Sequence, residues 1–145
     1  MQHMRTQLHP SFVTLMRENT HMSTNSEAAV DFLRLAATAN AREAFRKYAG
    51  QTFRHHNPFF KGDAESLMAA MRNNAAKNPD KILEIQRVIE QDDLVAVHSH
   101  VRMTPTDRGA AVVHIFRFDG NHRIAELWDI GQPVPENSPN ENGMF

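Results

Sequence analysis

The side chains able to do chemistry lie mainly in the second half of the chain. The 145 residues include nine histidines and no cysteine, so chemistry depends on His, Asp, Glu and Tyr. In a regular strand His98 and His100 share one face. A tight turn between the last two strands would place His114 opposite Leu127 and diagonal to Asp129. If His100 lies opposite His114, the three histidines and Asp129 form one patch.

Proton transfer is the chemistry that suits this patch. An Asp shielded from water can act as a base, and imidazoles can donate hydrogen bonds to an oxyanion that develops on the substrate. We therefore predict that Asp129 is the base and that His98 and His114 stabilise an enolate. His100, in the same patch, is predicted to bind substrate.

Two other interpretations of the patch remain open. In the first, His98 and His100 lie on a solvated or subunit-facing surface while the face of Val95, Val97 and Val101 meets the helices. A single β-bulge would produce that exchange of faces. In the second, the His-x-His pair joins His114 and Asp129 as ligands of a metal ion. We expect a metal-free protein, because polarity or proton transfer explains the closely spaced histidines.

Other polar and aromatic residues near the patch are assigned structural roles. Trp128 points away from Asp129 in a regular strand, which favours packing in the core. Glu126 shares the face of Trp128, and we assign it no catalytic role. His55 and His56 fall in a predicted loop, where such a pair is usually solvated or caps the backbone.

Helical periodicity dominates the chain from residue 26 to the end of a third helix. Asn40 and Glu43 resemble a capping box at the start of the second helix, and Asp63 is a suitable N-cap for the third. Residues 52–60 are predicted to form a loop or a short strand. The predicted helices are about 26–38, from Ala41 to the stop at Gly50, and from the cap at Asp63 to Asn78-Pro79.

Four strands separated by short turns follow the helices and predict an antiparallel meander. Because helices precede the strands and do not alternate with them, the fold class is α+β, with three helices covering one face of the sheet. The predicted strands are Ile82 to Glu90, Leu94 to Thr104, Ala110 to Phe118 and Arg123 to Ile130.

Composition excludes several classes of partner. Lys and Arg (16) nearly balance Asp and Glu (17) without a basic cluster, so no nucleic-acid partner is expected. Without a long apolar run or a signal peptide, we expect a cytoplasmic protein with no membrane contact. Residues 1–25 lack periodicity and are predicted to be a flexible extension, and residues 26–145 one domain. The tail after Gln132 is predicted to wrap the surface.

Several short segments together resemble the SnoaL-like proteins of the nuclear transport factor 2-like superfamily. More narrowly, they are similar to a bacterial group described as predicted aldol-condensation-catalysing enzymes. Their order and spacing extend the resemblance over about residues 27–145. The segments are His56-Asn57-Pro58, Asp93 to His98 (DLVAVH), Ile115 to Gly120 (IFRFDG), Trp128-Asp129-Ile130 with Gln132-Pro133, and the closing Asn142 to Phe145.

The resemblance implies a cone-shaped fold in which a curved sheet and helices enclose a pocket, commonly in a dimer. The polyketide cyclases of this superfamily close a ring by intramolecular aldol condensation, using an acidic base and no metal or organic cofactor. Matched residue by residue, the base is Asp129, and His98 occupies the V-A-V-H position. His56 and Asn57 occupy the H-N-P position and are predicted to bind substrate.

Two positions depart from the narrower group. That group often has Asp before I-F-R and His before W-D, where this chain has His114 and Leu127. His114 would re-create a His–Asp pair with the roles exchanged.

The sequence thus supports two functional hypotheses. The first is a cofactor-independent lyase, cyclase or isomerase that acts on a small carbonyl compound by deprotonation next to the carbonyl. The second is a non-catalytic domain that binds a small molecule or a partner protein. We also expect a homodimer, because helices on one side leave the other face of the sheet in need of cover.

Overall fold

The computed structural model describes residues 24–145, which form three α-helices and one five-stranded β-sheet. The predicted extension, residues 1–25, lies outside the described residues except for the first two residues of α1. Within residues 24–145 no helix is long and apolar enough to cross a membrane. The elements are α1 (Thr24–Ala36), α2 (Ala41–Tyr48), β1 (Ala49–His55), α3 (Ala64–Lys77), β2 (Ile82–Gln91), β3 (Leu94–Arg102), β4 (Ala110–Phe118) and β5 (Ile124–Pro133).

The sheet has the strand order β1-β5-β4-β3-β2. Strands β2 to β5 form the predicted antiparallel meander. β1, predicted only as a loop or short strand, pairs in parallel with β5 at the edge of the sheet. The sheet is curved and unclosed, and the three helices pack on one of its faces, which confirms the predicted α+β cone.

The face of the sheet that meets the helices, here the inner face, carries the core. Phe32 of α1 packs edge-on against Phe45 of α2, with ring centroids 5.1 Å apart, and against Phe116 of β4 at 5.8 Å. Burial of such apolar area is the main force that holds helices to the sheet. The inner-face residues of the three central strands are Val95, Val97, Ser99, Val112, His114, Phe116, Leu127 and Asp129.

Two of the predicted helix caps can be compared with the structure. Asp63 caps α3 as predicted, because its carboxylate accepts a hydrogen bond from the backbone N–H of Ser66 at 3.0 Å. The predicted capping box at α2 is wrong: Asn40 donates to the Thr38 hydroxyl, and Glu43 pairs with Arg46 one turn further along the helix. The guanidinium offers Glu43 a charged partner that the backbone does not.

Two hairpin turns set the register of the central strands. Gly109 before β4 has φ +72°, and a Cβ on it would lie 2.1 Å from the carbonyl oxygen of Val101, so only glycine fits. In the last hairpin, His122 has φ +58° and the backbone N–H of Asp119 donates to the carbonyl of Arg123. This turn is wider than the predicted two-residue turn, and the ladder shifts between Arg117 and Phe118.

Candidate functional site

His114 of β4 and Asp129 of β5 lie directly opposite each other on the inner face. The predicted pairing of His114 with Leu127 is wrong, because the wider last turn and its bulge move the register by two residues. A shift of two keeps both side chains on the same face. Directly opposite residues have Cβ atoms roughly 5 Å apart, so the imidazole and the carboxylate can act on one bound molecule.

Asn57 holds Asp129 from the loop that follows the edge strand β1. Its side-chain amide donates to Asp129 Oδ2 at 2.9 Å, while its own Oδ1 accepts from the backbone N–H of Phe59 at 3.0 Å. His55 fixes this turn: its buried ring accepts from the backbone N–H of Asn57 and donates through Nε2 to the carbonyl of Lys61 at 2.9 Å. The H-N-P segment therefore positions one carboxylate oxygen of Asp129.

A cavity of about 140 Å³ lies between the helices and the inner face beside His114. Its walls are mostly apolar, with Leu33 and Ala36 from α1 and Met71 from α3. His114 lines the cavity and connects it to Asp129, which itself is half-buried on the adjacent strand. The arrangement therefore places one imidazole between an apolar space and a carboxylate.

Burial controls the charge of His114. It lowers the pKa of His114 to about 4, against a smaller opposing effect of the Asp129 charge. His114 is therefore neutral at pH 7, and a neutral imidazole can still donate a hydrogen bond. Its buried Nδ1 has no hydrogen-bond partner within residues 24–145. The hydroxyl of Ser99, also on the inner face, is buried without a partner in the same part of the chain.

Residues 26–127, more than two thirds of the sequence, match the SnoaL-like domain. The chain belongs to the SnoaL-like family. A comparison with curated proteins finds no significant match.

Solved structures share the fold of this SnoaL-like protein. A proposed isomerase of the SnoaL-like family from Agrobacterium tumefaciens has a TM-score of 0.62 at 11% identity, covering 76% of this chain and 99% of that one. A SnoaL-like protein of unknown function from Burkholderia thailandensis gives 0.62 at 16%, covering 77% and 98%. A proposed polyketide cyclase from Acidithiobacillus ferrooxidans gives 0.61 at 19%, covering 78% and 91%. At these identities the likeness shows the nuclear transport factor 2-like fold alone.

The predicted patch that joins His98 and His100 to His114 is wrong in this SnoaL-like domain. β3 and β4 pair Val97 with His114 and His100 with Ala111. Because side chains alternate along a strand, His98 and His100 lie on the outer face, opposite the helices. The alternative interpretation, in which Val95, Val97 and Val101 face the helices, is therefore the correct one for this strand.

Both outer-face histidines have other partners. His98 receives a hydrogen bond from Arg87, and His100 donates to the carbonyl of Arg108 at 2.7 Å. The ring of Phe145, at the end of the chain, stacks on His100 at 4.2 Å and on His98 at 5.8 Å. His98 and His100 therefore lie on the opposite face of the sheet from Asp129. The structure does not support the predicted catalytic role of His98 or the predicted substrate binding by His100 at that site.

His56 also lies on the outer side of the sheet. It stacks on Trp128 with ring centroids 4.9 Å apart and donates to Glu126 at 2.7 Å. Trp128 is half-buried there, so the prediction that it packs in the core is wrong. The predicted role of His56 in substrate binding is not supported by contact with His114 or Asp129.

Glu126 is a buried carboxylate whose importance the sequence did not indicate. Only 6% of the residue is exposed, and it accepts hydrogen bonds from Arg54 at 2.9 Å and from Arg117 at 3.0 Å. Bonds from Arg54, and then from His56, lower the pKa of Glu126 to about 2. Glu126, on β5, therefore links the side chains of β1 and β4 through these ion pairs. It is unsuited to act as a base, because a carboxylate with so low a pKa takes up a proton poorly at pH 7.

The alternative metal site is not assembled in the structure. His98 and His100 lie on one side of the sheet, and His114 and Asp129 lie on the other. Among residues 24–145, no three His, Asp or Glu side chains group closely enough to hold a metal ion.

Proposed function

We propose that this chain is a cofactor-independent enzyme of the aldol-condensation type that acts on a small carbonyl compound. The observation that carries the proposal is the direct pairing of His114 with Asp129 on the inner face, beside a cavity lined by His114. A base and a neutral hydrogen-bond donor are the two groups that enolisation requires.

In the proposed reaction Asp129 takes a proton from the carbon next to the carbonyl. The electron pair of that C–H bond moves to the carbonyl oxygen, and His114 donates a hydrogen bond to the resulting enolate. Asn57 donates to Oδ2 of Asp129 at 2.9 Å, which leaves Oδ1 as the oxygen that takes the proton in this proposal. The enolate carbon then attacks a second carbonyl, and Asp129 returns its proton to the alkoxide that forms. In an isomerisation, Asp129 returns the proton to the other face of the enolate carbon or to a different carbon.

A second candidate function is the binding of a small molecule without catalysis. It is favoured by the mostly apolar walls of the cavity, and by the position of Asp129, which is not among the described residues that line the cavity. A binding domain would use the same cavity but would not exchange protons with its ligand.

Asp129→Asn separates the two functions. The substitution keeps the volume of the side chain but cannot accept a proton. We expect wild-type protein to catalyse deuterium uptake from D₂O into small diketones and keto esters, followed by NMR, and the variant to lose roughly 10²- to 10⁴-fold of that rate. Binding of the same compounds should change little.

Asp80→Asn is the matched control, because Asp80 is exposed and lies before β2. It should exchange protons at the wild-type rate. If every compound that binds to the wild-type protein takes up deuterium no faster than in buffer, the enzyme hypothesis fails and the binding function takes its place.

A further inference from the structure

Lys81 is a charged residue that the proposed proton transfer does not use. It immediately precedes β2, and its side chain lines the cavity together with His114. Its ammonium group donates a hydrogen bond to the side-chain carbonyl of Asn74 at 2.8 Å. Apart from these two residues the lining is apolar, so Lys81 supplies positive charge at the edge of an apolar space.

The charge of Lys81 is uncompensated. None of the ion pairs found within residues 24–145 includes it. Burial lowers the pKa of Lys81, so its ammonium form has lost part of its hydration. A neutral amide partner does not replace that loss, whereas an anion would form a charge-assisted hydrogen bond.

His114 is the second polar residue of the cavity wall. Its Nδ1 is fully buried and has no partner in the described part of the chain, although it belongs to a residue of the cavity wall. A buried polar atom of this kind is normally satisfied by a protein group, a water molecule or a ligand. His114 and Lys81 both line the cavity, so a ligand with a carbonyl oxygen next to a carboxylate suits the two residues together.

The volume of the cavity suits a small ligand. At about 140 Å³ it is close to the roughly 150 Å³ of apolar cavities that hold benzene. A compound of roughly six non-hydrogen atoms fits that space.

We propose that Lys81 binds the carboxylate of the substrate, so that the site selects small keto acids over neutral ketones of the same size. The inference rests on the proposed function for the reacting carbonyl, but anion binding by Lys81 can be measured without any reaction. Lys81 is thus a binding residue that determines specificity.

Oxamate and oxamide test anion binding apart from chemistry. They have the same shape and no acidic C–H bond, and only oxamate carries a carboxylate. Titration followed by NMR should show that wild-type protein prefers oxamate, and that Lys81→Met weakens oxamate binding roughly ten- to a hundredfold with little effect on oxamide. Lys77→Met, which removes an exposed lysine at the end of α3, should bind both compounds like wild type.

The folding of the variant is checked by urea unfolding. Lys81→Met should be at least as stable as wild type, because it replaces a poorly solvated charge by an apolar chain of similar length. If Lys81→Met is unfolded, Lys81→Gln takes its place, because it keeps a polar group at this position. Lys81→Gln should likewise weaken the binding of oxamate with little effect on oxamide.

Proton exchange then links the inference to the proposed function. Pyruvate should take up deuterium faster than butanedione in wild type, and Lys81→Met should remove that preference. Exchange absent from both compounds, with oxamate binding still dependent on Lys81, would contradict the proposed function and leave this inference standing.

Oxamate binding equal in wild type and Lys81→Met would overturn the inference. A covalent adduct of pyruvate on Lys81, trapped with borohydride, would also overturn it.

Discussion

At the level of single residues, burial decides which histidine can work with a carboxylate. Among the histidines of the predicted patch, His114 alone lies on the inner face, and the same burial that places it at the cavity keeps it neutral. His98 and His100 face the C-terminal tail. The chemical type of a side chain suggests a role, but the face of the strand determines whether that role is available.

The burial of His114 predicts a loss of stability in acid. Its pKa is 6.5 in the unfolded chain and about 4 in the folded protein, so the unfolded state binds the proton first as the pH falls. The contribution of His114 to the free energy of unfolding is therefore fully present above pH 6.5 and is lost as the pH falls towards 4. Lowering the pH from 7 to 5 should therefore reduce the free energy of unfolding by about 2 kcal/mol through this one group.

His114→Phe isolates the contribution of His114, since a phenyl ring fits beside Phe116 and does not titrate. Urea unfolding at pH 7 and pH 5 should show a smaller loss of stability for the variant than for wild type, by about 2 kcal/mol. Equal losses in the two proteins would mean that the imidazole is hydrated in the folded state.

The sequence predicted part of this site from residue types and part from the family resemblance. Asp129 and His114 are predicted as neighbours, as the structure shows. The H-N-P motif predicts that Asn57 binds substrate, and the structure adds a hydrogen bond from Asn57 to Asp129 that the motif does not indicate. Lys81 was missed because a lysine that follows Asn78-Pro79 before a strand looks solvated. Its partial burial depends on α3, which brings Asn74 to its ammonium group and Met71 to the same cavity, and local periodicity does not contain that packing.

At the level of secondary-structure elements, the sequence predicted which segments form helices and strands better than how they pair. The three helices and four meander strands follow from local periodicity. The parallel pairing of β1 with β5 joins residues about 70 positions apart, and a short polar strand carries no local sign of it. Register depends on turn geometry, and a change of one residue at the β3–β4 turn exchanges the faces.

Gly109 supports the register of β3 and β4, and therefore the position of His114. Its φ is +72°, and the Cβ of an alanine there would lie 2.1 Å from the Val101 carbonyl oxygen, so Gly109→Ala should destabilise the protein by roughly 1–3 kcal/mol. Gly120→Ala is the matched control in the next hairpin, since a Cβ there meets no atom of the described residues within 4 Å. It should be neutral in the same urea unfolding experiment. Similar effects at the two glycines would show that the β3–β4 turn tolerates another conformation.

At the level of the whole molecule, residues 24–145 cover the outer face of the sheet only in part. The tail after β5 packs across the region of His98 and His100, where it borders a cleft of about 840 Å³. Large apolar side chains remain exposed on this face: Ile130, at 60%, lines the same cleft, and Ile89 at 63% and Leu94 at 40% lie elsewhere on the face. Several such residues on one sheet face mark an interaction surface more often than isolated ones do.

We propose that a second copy of the chain covers this outer face in a homodimer. In a dimer with two-fold symmetry, the outer face of one subunit packs on the outer face of the other. This contact would bury Ile130 and Ile89 of both subunits. Ile130→Glu would place two carboxylates in that contact, and the cost of burying unpaired charge should convert the dimer to monomer. Sedimentation of wild-type protein at micromolar concentration should show the dimer.

Phe59→Glu is the control for this prediction. Phe59 is 85% exposed in the loop after β1, away from the outer-face patch, so this variant introduces the same charge without touching the proposed contact. It should sediment as wild type does. Because the cavity lies on the inner face, between helices and sheet, Ile130→Glu should still bind oxamate as a monomer. A wild-type monomer at micromolar concentration would refute the dimer and leave the outer face for another partner.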